Sequence, residues 1–228
     1  MQERTAQILE AAVREFIAGG EPISSGLLYR HHDFGIRPAM IRHELEELVR
    51  KGFLEQPHHS AGRIPTDRGY EFFAEKMLQS EEFHSSAEGR DKHLASLFEQ
   101  RAWDDLLEEI SSQLGILGVV SSPKEEVVRK DGLENLIENL DWETPGEVKS
   151  VIRDFVELED RLKMFGGKLH GGAIQVFIGR KSPITKSKNL VLVAGEYDIG
   201  DEEVLVLAIG PKRMDYQKTF NVFRCFNE

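Results

Sequence analysis

The sharpest alternation of apolar and polar positions falls between Ile36 and Tyr70. Ile41, Leu45 and Leu48 recur at i, i+4 and i+7, which is the stripe of a helix with one buried face. Pro38 suits its first position, because the fixed φ is helical and the missing N–H has no partner to lose there. Lys51 and Gly52 close it as a cationic last turn and a glycine just past the end. Met40, Arg42, His43, Glu46, Glu47 and Arg50 fall off the apolar stripe. A short strand over Phe53 to Gln56, a polar tip over Pro57 to Gly62 and a return strand over Arg63 to Pro65 follow. Helix, strand, exposed tip and return strand is the layout of a winged helix-turn-helix.

The elements around it read in the same way. Glu3 to Ile17 is an amphipathic helix burying Ile8, Leu9, Ala12, Val13, Phe16 and Ile17, and Gly19-Gly20 stop it. Ser24 or Ser25 caps a short second helix ending near His31, with Leu27, Leu28 and Tyr29 inward. His32 to Gly35 is the turn into the recognition helix. Thr66 caps a helix over Asp67 to Gln79, with Tyr70, Phe73 and Met77 inward. Ser80 to Gly89 has linker composition. The expected organisation is a DNA-binding domain over 1–79, a linker over 80–90 and a second domain over 91–228.

In the second part, Asp91 to Leu114 reads as one helical stretch, with Trp103, Leu107, Ile110, Leu114 and Leu117 on one face. Gly118 to Val120 is a short strand ended by Ser121-Ser122-Pro123, and Val127-Val128 extend a neighbour. Leu133, Leu136, Ile137 and Leu140 make a short helix. Val148, Val151, Phe155, Leu158, Leu162 and Phe165 recur at 3, 4, 3, 4, 3, a heptad-like seam. Either it packs on the chain's own sheet or it pairs two copies. Strands are expected at Ala173–Ile178, Leu190–Ala194 and Val204–Ile209, the last two apolar enough to be central and buried. A terminal helix carries Tyr216, Phe220, Phe223 and Phe226.

Composition narrows the classes. A chain of 228 residues, 40% hydrophobic and 30% charged, has an ordinary globular composition and room for two domains. One cysteine, Cys225, leaves no internal disulfide, and no run approaches the ~18 apolar residues of a membrane span. With no secretory pattern over Met1 to Gly20, the expected location is the cytoplasm, away from membranes. The net charge of −11 is uneven. Residues 1–70 hold nine Arg/Lys and ten Asp/Glu, and residues 71–228 hold twenty and thirty. A nearly neutral first domain must rely on local placement of Arg37, Arg42, Arg50, Lys51, Arg63 and Arg68 to meet DNA.

The run Gly52 to Tyr70, GFLEQPHHSAGRIPTDRGY, with Ala39 and Ile41-Arg42 before it, resembles the wing and recognition helix of the HrcA-type heat-inducible transcription repressors. Pro22, Ser25 and Leu28 match that family's second-helix motif, whereas Gly26 stands where a basic residue is usual. Gly132 to Leu136 resembles its middle motif and Ile209 to Tyr216 its C-terminal motif. Between Pro123 and Val127 the family carries many tens of residues that this chain lacks. The resemblance implies an α+β chain: an N-terminal winged helix-turn-helix and a C-terminal GAF-like α/β domain with a reduced sheet. It implies a repressor of chaperone genes, a homodimer on an inverted-repeat, double-stranded operator, with a chaperonin as modulator. Met40 and His43 replace small or amide residues of the family, so the operator is expected to differ.

No catalytic constellation, cofactor motif or metal set is apparent. The glycines around His170 lack the strand and helix context of a phosphate cradle, and adjacent His31-His32 and His58-His59 lack a third ligand at set spacing. Arg213 and Asp215 read as anchors and caps of the last helix. The candidate DNA-binding residues are Ser25, Arg37, Met40, Arg42, His43, His58, Ser60 and Arg63. Two other classes stay open: a regulator gated by a small molecule in the second domain, and an enzyme with an accessory winged helix.

Overall fold

A computed structural model describes residues 1–58, 61–80, 91–122, 127–140, 145–165 and 174–226. Ser60, most of the expected linker and the glycine-rich stretch around His170 lie outside the described residues. The chain divides into two compact units, Met1–Met77 and Leu78–Glu228.

In the first unit, α1 (Glu3–Gly19), α2 (Ser25–His31) and α3 (Pro38–Arg50) enclose Ile8, Leu9, Leu28, Ile41, Leu45 and Leu48, all buried completely. Polar ties fix the three helices. Thr5 on α1 donates to Glu44 on α3 at 2.8 Å. The Glu15 carboxylate accepts from His31 Nδ1 at 3.0 Å and His32 Nε2 at 2.8 Å. Burial opposes ionisation of Glu15, but the two histidine bonds prevail and hold its carboxyl below the ordinary value. The His31-His32 pair thus joins the end of α2 to α1. Ser24, not Ser25, caps α2, and Tyr29, expected inward, is exposed.

The wing consists of β1 (Leu54–Glu55) and β2 (Ile64–Pro65), antiparallel, with Ile23 joined to Arg63 by an isolated antiparallel bridge. Gly52, at φ 74°, turns the chain out of α3 while Phe53 N–H bonds back to Leu48 O. Thr66 Oγ1 accepts from Gly69 N–H at 3.3 Å at the start of α4 (Asp67–Gln79), as a cap should.

The second unit is a helix–sheet–helix sandwich. Its elements in order are α5 (Lys92–Glu99), α6 (Trp103–Leu114), β3 (Leu117–Ser122), β4 (Val127–Asp131), α7 (Leu133–Glu138), α8 (Pro145–Val156), α9 (Leu158–Phe165), β5 (Gln175–Ile178), β6 (Leu190–Ile199), β7 (Glu202–Pro211) and α10 (Tyr216–Arg224). Among the described residues the strands form one antiparallel sheet, ordered β4-β3-β7-β6-β5. Leu190, Leu192, Leu207 and Ile209 share one core with Leu136, Val151, Leu158 and Leu162. Tyr197 meets Phe98 and Phe226 at ring distances of 5.5 and 5.4 Å, and its hydroxyl donates to Phe223 O at 2.7 Å. Both faces of the sheet are therefore covered, which is why β6 and β7 are nearly continuously apolar. The α+β class with a reduced sheet holds.

Several elements differ from expectation. Asp91 to Leu114 is two helices, broken at Gln100 to Ala102, where Arg101 takes a left-handed φ of 58°. Leu117 lies in β3 rather than on a helix face, and β3 runs on through Ser121-Ser122. Strands β6 and β7 extend to a tight hairpin at Gly200-Asp201. The heptad-like seam breaks at Glu157, and its residues Val151, Leu158 and Leu162 pack into the unit's own core. Asp215 caps α10 by accepting from Lys218 N–H at 3.0 Å, and Cys225 is buried.

Candidate nucleic-acid interface

The surface of α3 opposite its buried stripe carries the candidate contacts. Arg37 precedes the helix with no side-chain cap bond, and Arg37, Met40, Arg42 and His43 are all exposed. The helical period places them there, since Ile41, Leu45 and Leu48 take the inward side. His58 is exposed at the wing. Ser25 is half-buried in the first turn of α2.

The six cations named from the sequence fall into different groups. Arg50 and Lys51 both pair with Glu47, the lysine at 3.1 Å. Arg68 donates to Lys51 O at 2.7 Å and lies over the Phe53 ring at 4.3 Å, so it closes the end of α3 from within the unit. Arg63 corrects the picture of an open anchor on the return strand. Its side chain is 13% exposed, and its guanidinium sits 3.9 Å from Glu46. Its backbone exchanges both hydrogen bonds with Ile23, which draws it inward. Among the described residues, Arg37 and Arg42 alone of the six have a side chain with no ion pair, hydrogen bond or ring contact.

Electrostatically, α3 is thus divided. Its first half offers two arginines unpaired among the described residues, and its second half has both cations tied to the single Glu47 carboxylate, with Glu46 exposed beside them. An anion therefore meets the least competition from carboxylates at the N-terminal half. Sequence reading did not assign Glu47 this role, although its i+3 and i+4 spacing to Arg50 and Lys51 signals it.

In the second unit an open groove of about 670 Å³ is lined by Asp104, Glu108, Asp131 and Glu134, with Lys130 and Phe155. Lys130 pairs with Glu159 at 2.8 Å and lies 4.3 Å from the Phe155 ring centroid. No helix among the described residues is long and apolar enough to cross a membrane.

The family model described as HrcA protein C terminal domain matches residues 73–220. The heat-inducible transcription repressor HrcA of Carboxydothermus hydrogenoformans is 29% identical over 231 residues, covering 97% of this chain and 62% of that protein. The repressor of the same name from Clostridium perfringens is 42% identical over 89 residues, 39% of this chain and 26% of its own length. This chain therefore spans less than two thirds of either relative. A crystal structure described as a hypothetical protein at 2.2 Å superposes with a TM-score of 0.79 at 18% identity, covering 98% of this chain and 95% of its own, a likeness of fold. Since the matched residues 73–220 make up well over half of its length, the chain belongs to the HrcA family.

Proposed function

We propose that this chain is a DNA-binding transcription repressor of heat-shock chaperone genes. In this reading α3 enters the major groove of an inverted-repeat operator by its N-terminal half, with Ser25, Arg37, Met40, Arg42, His43, His58 and Ser60 as the contact set. The observation that carries it is the pairing pattern along α3: among the described residues Arg37 and Arg42 stay unpaired at its N-terminal end, while Arg50 and Lys51 are both paired with Glu47. Arg63 serves as a support for the wing rather than as a free phosphate anchor. Footprinting of the full chain on DNA upstream of its host's chaperone genes tests the reading. Protection of an inverted repeat is expected, and no protection at low salt would overturn it.

Homodimerisation belongs to the same proposal, because a two-fold repeat calls for a two-fold protein. The outward side of α8 and α9 carries exposed Ile152, Val156 and Met164, apolar surface that a second copy would cover. Control by a chaperonin rests on the family alone. It predicts that a purified chaperonin raises the fraction of DNA-competent protein after a mild heat pulse.

The polar groove of the second unit supports a second reading, in which a cationic small molecule gates DNA binding. Thermal shifts with a panel of polyamines and amino acids separate the two readings.

A further inference from the structure

Pro38, Ala39 and Met40 are three consecutive apolar residues facing solvent at the start of α3. Met40 is 49% exposed, one of few large apolar side chains left so open in the first unit. Pro38 and Ala39 suit a first helical turn, but the exposed Met40 side chain adds nothing to the core, and exposed apolar runs of this length are ordinarily selected against unless a partner covers them. Its surroundings restrict the partner. On one side stands Arg37 and on the other Arg42, neither in an ion pair among the described residues. Further along the helix, Glu46 and Glu47 present carboxylates. The partner must carry negative charge around the first turn of α3 and an apolar group at its centre.

Duplex DNA presents that combination in its major groove. Phosphates flank the groove, and the C5 methyl of thymine is the apolar group on the base edges. A methionine thioether has no strong donor and so cannot read a purine by a bidentate hydrogen bond. It is unbranched and adaptable, which suits it to cover a methyl group. We propose that Met40 is a specificity-determining residue that packs on a thymine methyl, with Arg37 and Arg42 holding the flanking phosphates. Each half-site should then require thymine at the base pair met by the first turn of α3. This inference rests on the DNA-binding reading above.

The test uses the full chain. Sites are selected from a duplex library with a randomised core, and each thymine of the selected half-site is replaced in turn by deoxyuridine, which removes only the methyl. Binding is measured for the wild type, Met40→Ala and Met40→Gln, with folding checked by circular dichroism. One thymine per half-site should weaken wild-type binding about fourfold on losing its methyl, the effect of one buried carbon. Met40→Ala should bind thymine and deoxyuridine sites equally. Met40→Gln, whose amide can pair with adenine, should move selection at that position toward adenine. The proposal is overturned if no deoxyuridine position distinguishes wild type from Met40→Ala, or if all three proteins select one consensus. Failure to enrich any site would instead overturn the DNA-binding reading itself, and Met40 with it.

Discussion

Nη1 of Arg101 lies 2.8 Å from Oε2 of Glu202, whose side chain is 1% exposed. Nη2 of the same guanidinium donates to Ile199 O at 3.3 Å, so the turn between α5 and α6 is fastened to the β6–β7 hairpin. Ser122 Oγ donates to the other oxygen of Glu202. Arg101 is also the one non-glycine among the described residues with a positive φ, a conformation costing about 1–2 kcal/mol. The buried carboxylate explains why that cost is tolerated. Arg101→Ala would leave Glu202 without a counter-charge, and removing one partner of a buried pair costs about 3–5 kcal/mol. Because Arg101 itself is 38% exposed, solvent screens part of this, and about 2–3 kcal/mol is expected. Glu202→Gln removes the buried charge and can still accept from Ser122, so it should cost less. Urea midpoints of the two variants decide; equal losses would mean that turn geometry, not charge, dominates.

This contact also marks where local sequence reading stops. Helix α3 and the wing were legible because their signals are local: an i, i+4, i+7 stripe, Pro38, Gly52 and a cap at Thr66. The break at Arg101 has no glycine or proline to announce it. It depends on Glu202 and Ile199, about a hundred residues away, beyond any window of periodicity. The seam from Val148 to Phe165 was legible as apolar, but not which surface it covers, because its partners Leu192 and Leu207 lie in later strands. At the candidate interface, the exposure of Arg37, Met40, Arg42 and His43 followed from the helical period alone. The partial burial of Arg63 did not, since it depends on the wing strand folding back on Ile23.

The fold narrows what a wing deletion can show. A Cβ placed on Gly62 would lie 2.6 Å from Pro22 O and Ile23 O, so the approach to the return strand passes directly over the segment that leads into α2. Deleting the whole tip through Gly62 would therefore disturb the core as well as the surface. Gly62→Ala should lower stability by about 1–3 kcal/mol, the usual cost of forcing atoms into a packed site. His58→Ala, at an exposed position, should leave it unchanged. Thermal melts compare them, and an unshifted Gly62→Ala would show that this backbone approach relaxes freely.

A pH dependence follows from the β6–β7 hairpin. Burial raises the Glu196 carboxyl above its ordinary value of 4.5, and Glu203 and Asp198 push it the same way. Asp198 and Glu203 stand directly opposite each other in the register, a like-charge pair. A raised folded value means that the charged form is disfavoured in the folded state. The penalty is fully present at neutral pH, is relieved as pH falls through the raised value, and is gone below the unfolded value. Glu196→Gln should accordingly raise the melting temperature at neutral pH and flatten its change on mild acidification. If wild type and variant run parallel across that range, Glu196 is not the group responsible.

In the proposed DNA complex, Glu47 sets how much positive charge the C-terminal end of α3 presents. It holds Arg50 and Lys51 at i+3 and i+4, where each exposed pair is worth about 0.3–0.5 kcal/mol to the fold. Glu47→Gln should thus cost little stability while releasing two cations at the far end of the helix. Counterion release then predicts a salt slope steeper by up to about 1.8, at roughly 0.9 for each additional phosphate neutralised. Cognate and random duplexes should both bind more tightly, because phosphate contacts carry no sequence information. Arg42→Ala is the opposing case. It should cost roughly 1–3 kcal/mol on the cognate site, with relaxed preference if the guanidinium meets a base edge. Titrations over a salt series with both duplexes distinguish the outcomes. A Glu47→Gln slope equal to wild type would mean that Arg50 and Lys51 never reach the backbone. An Arg42→Ala protein of unchanged affinity would remove Arg42 from the interface and leave Arg37 as its one unpaired arginine.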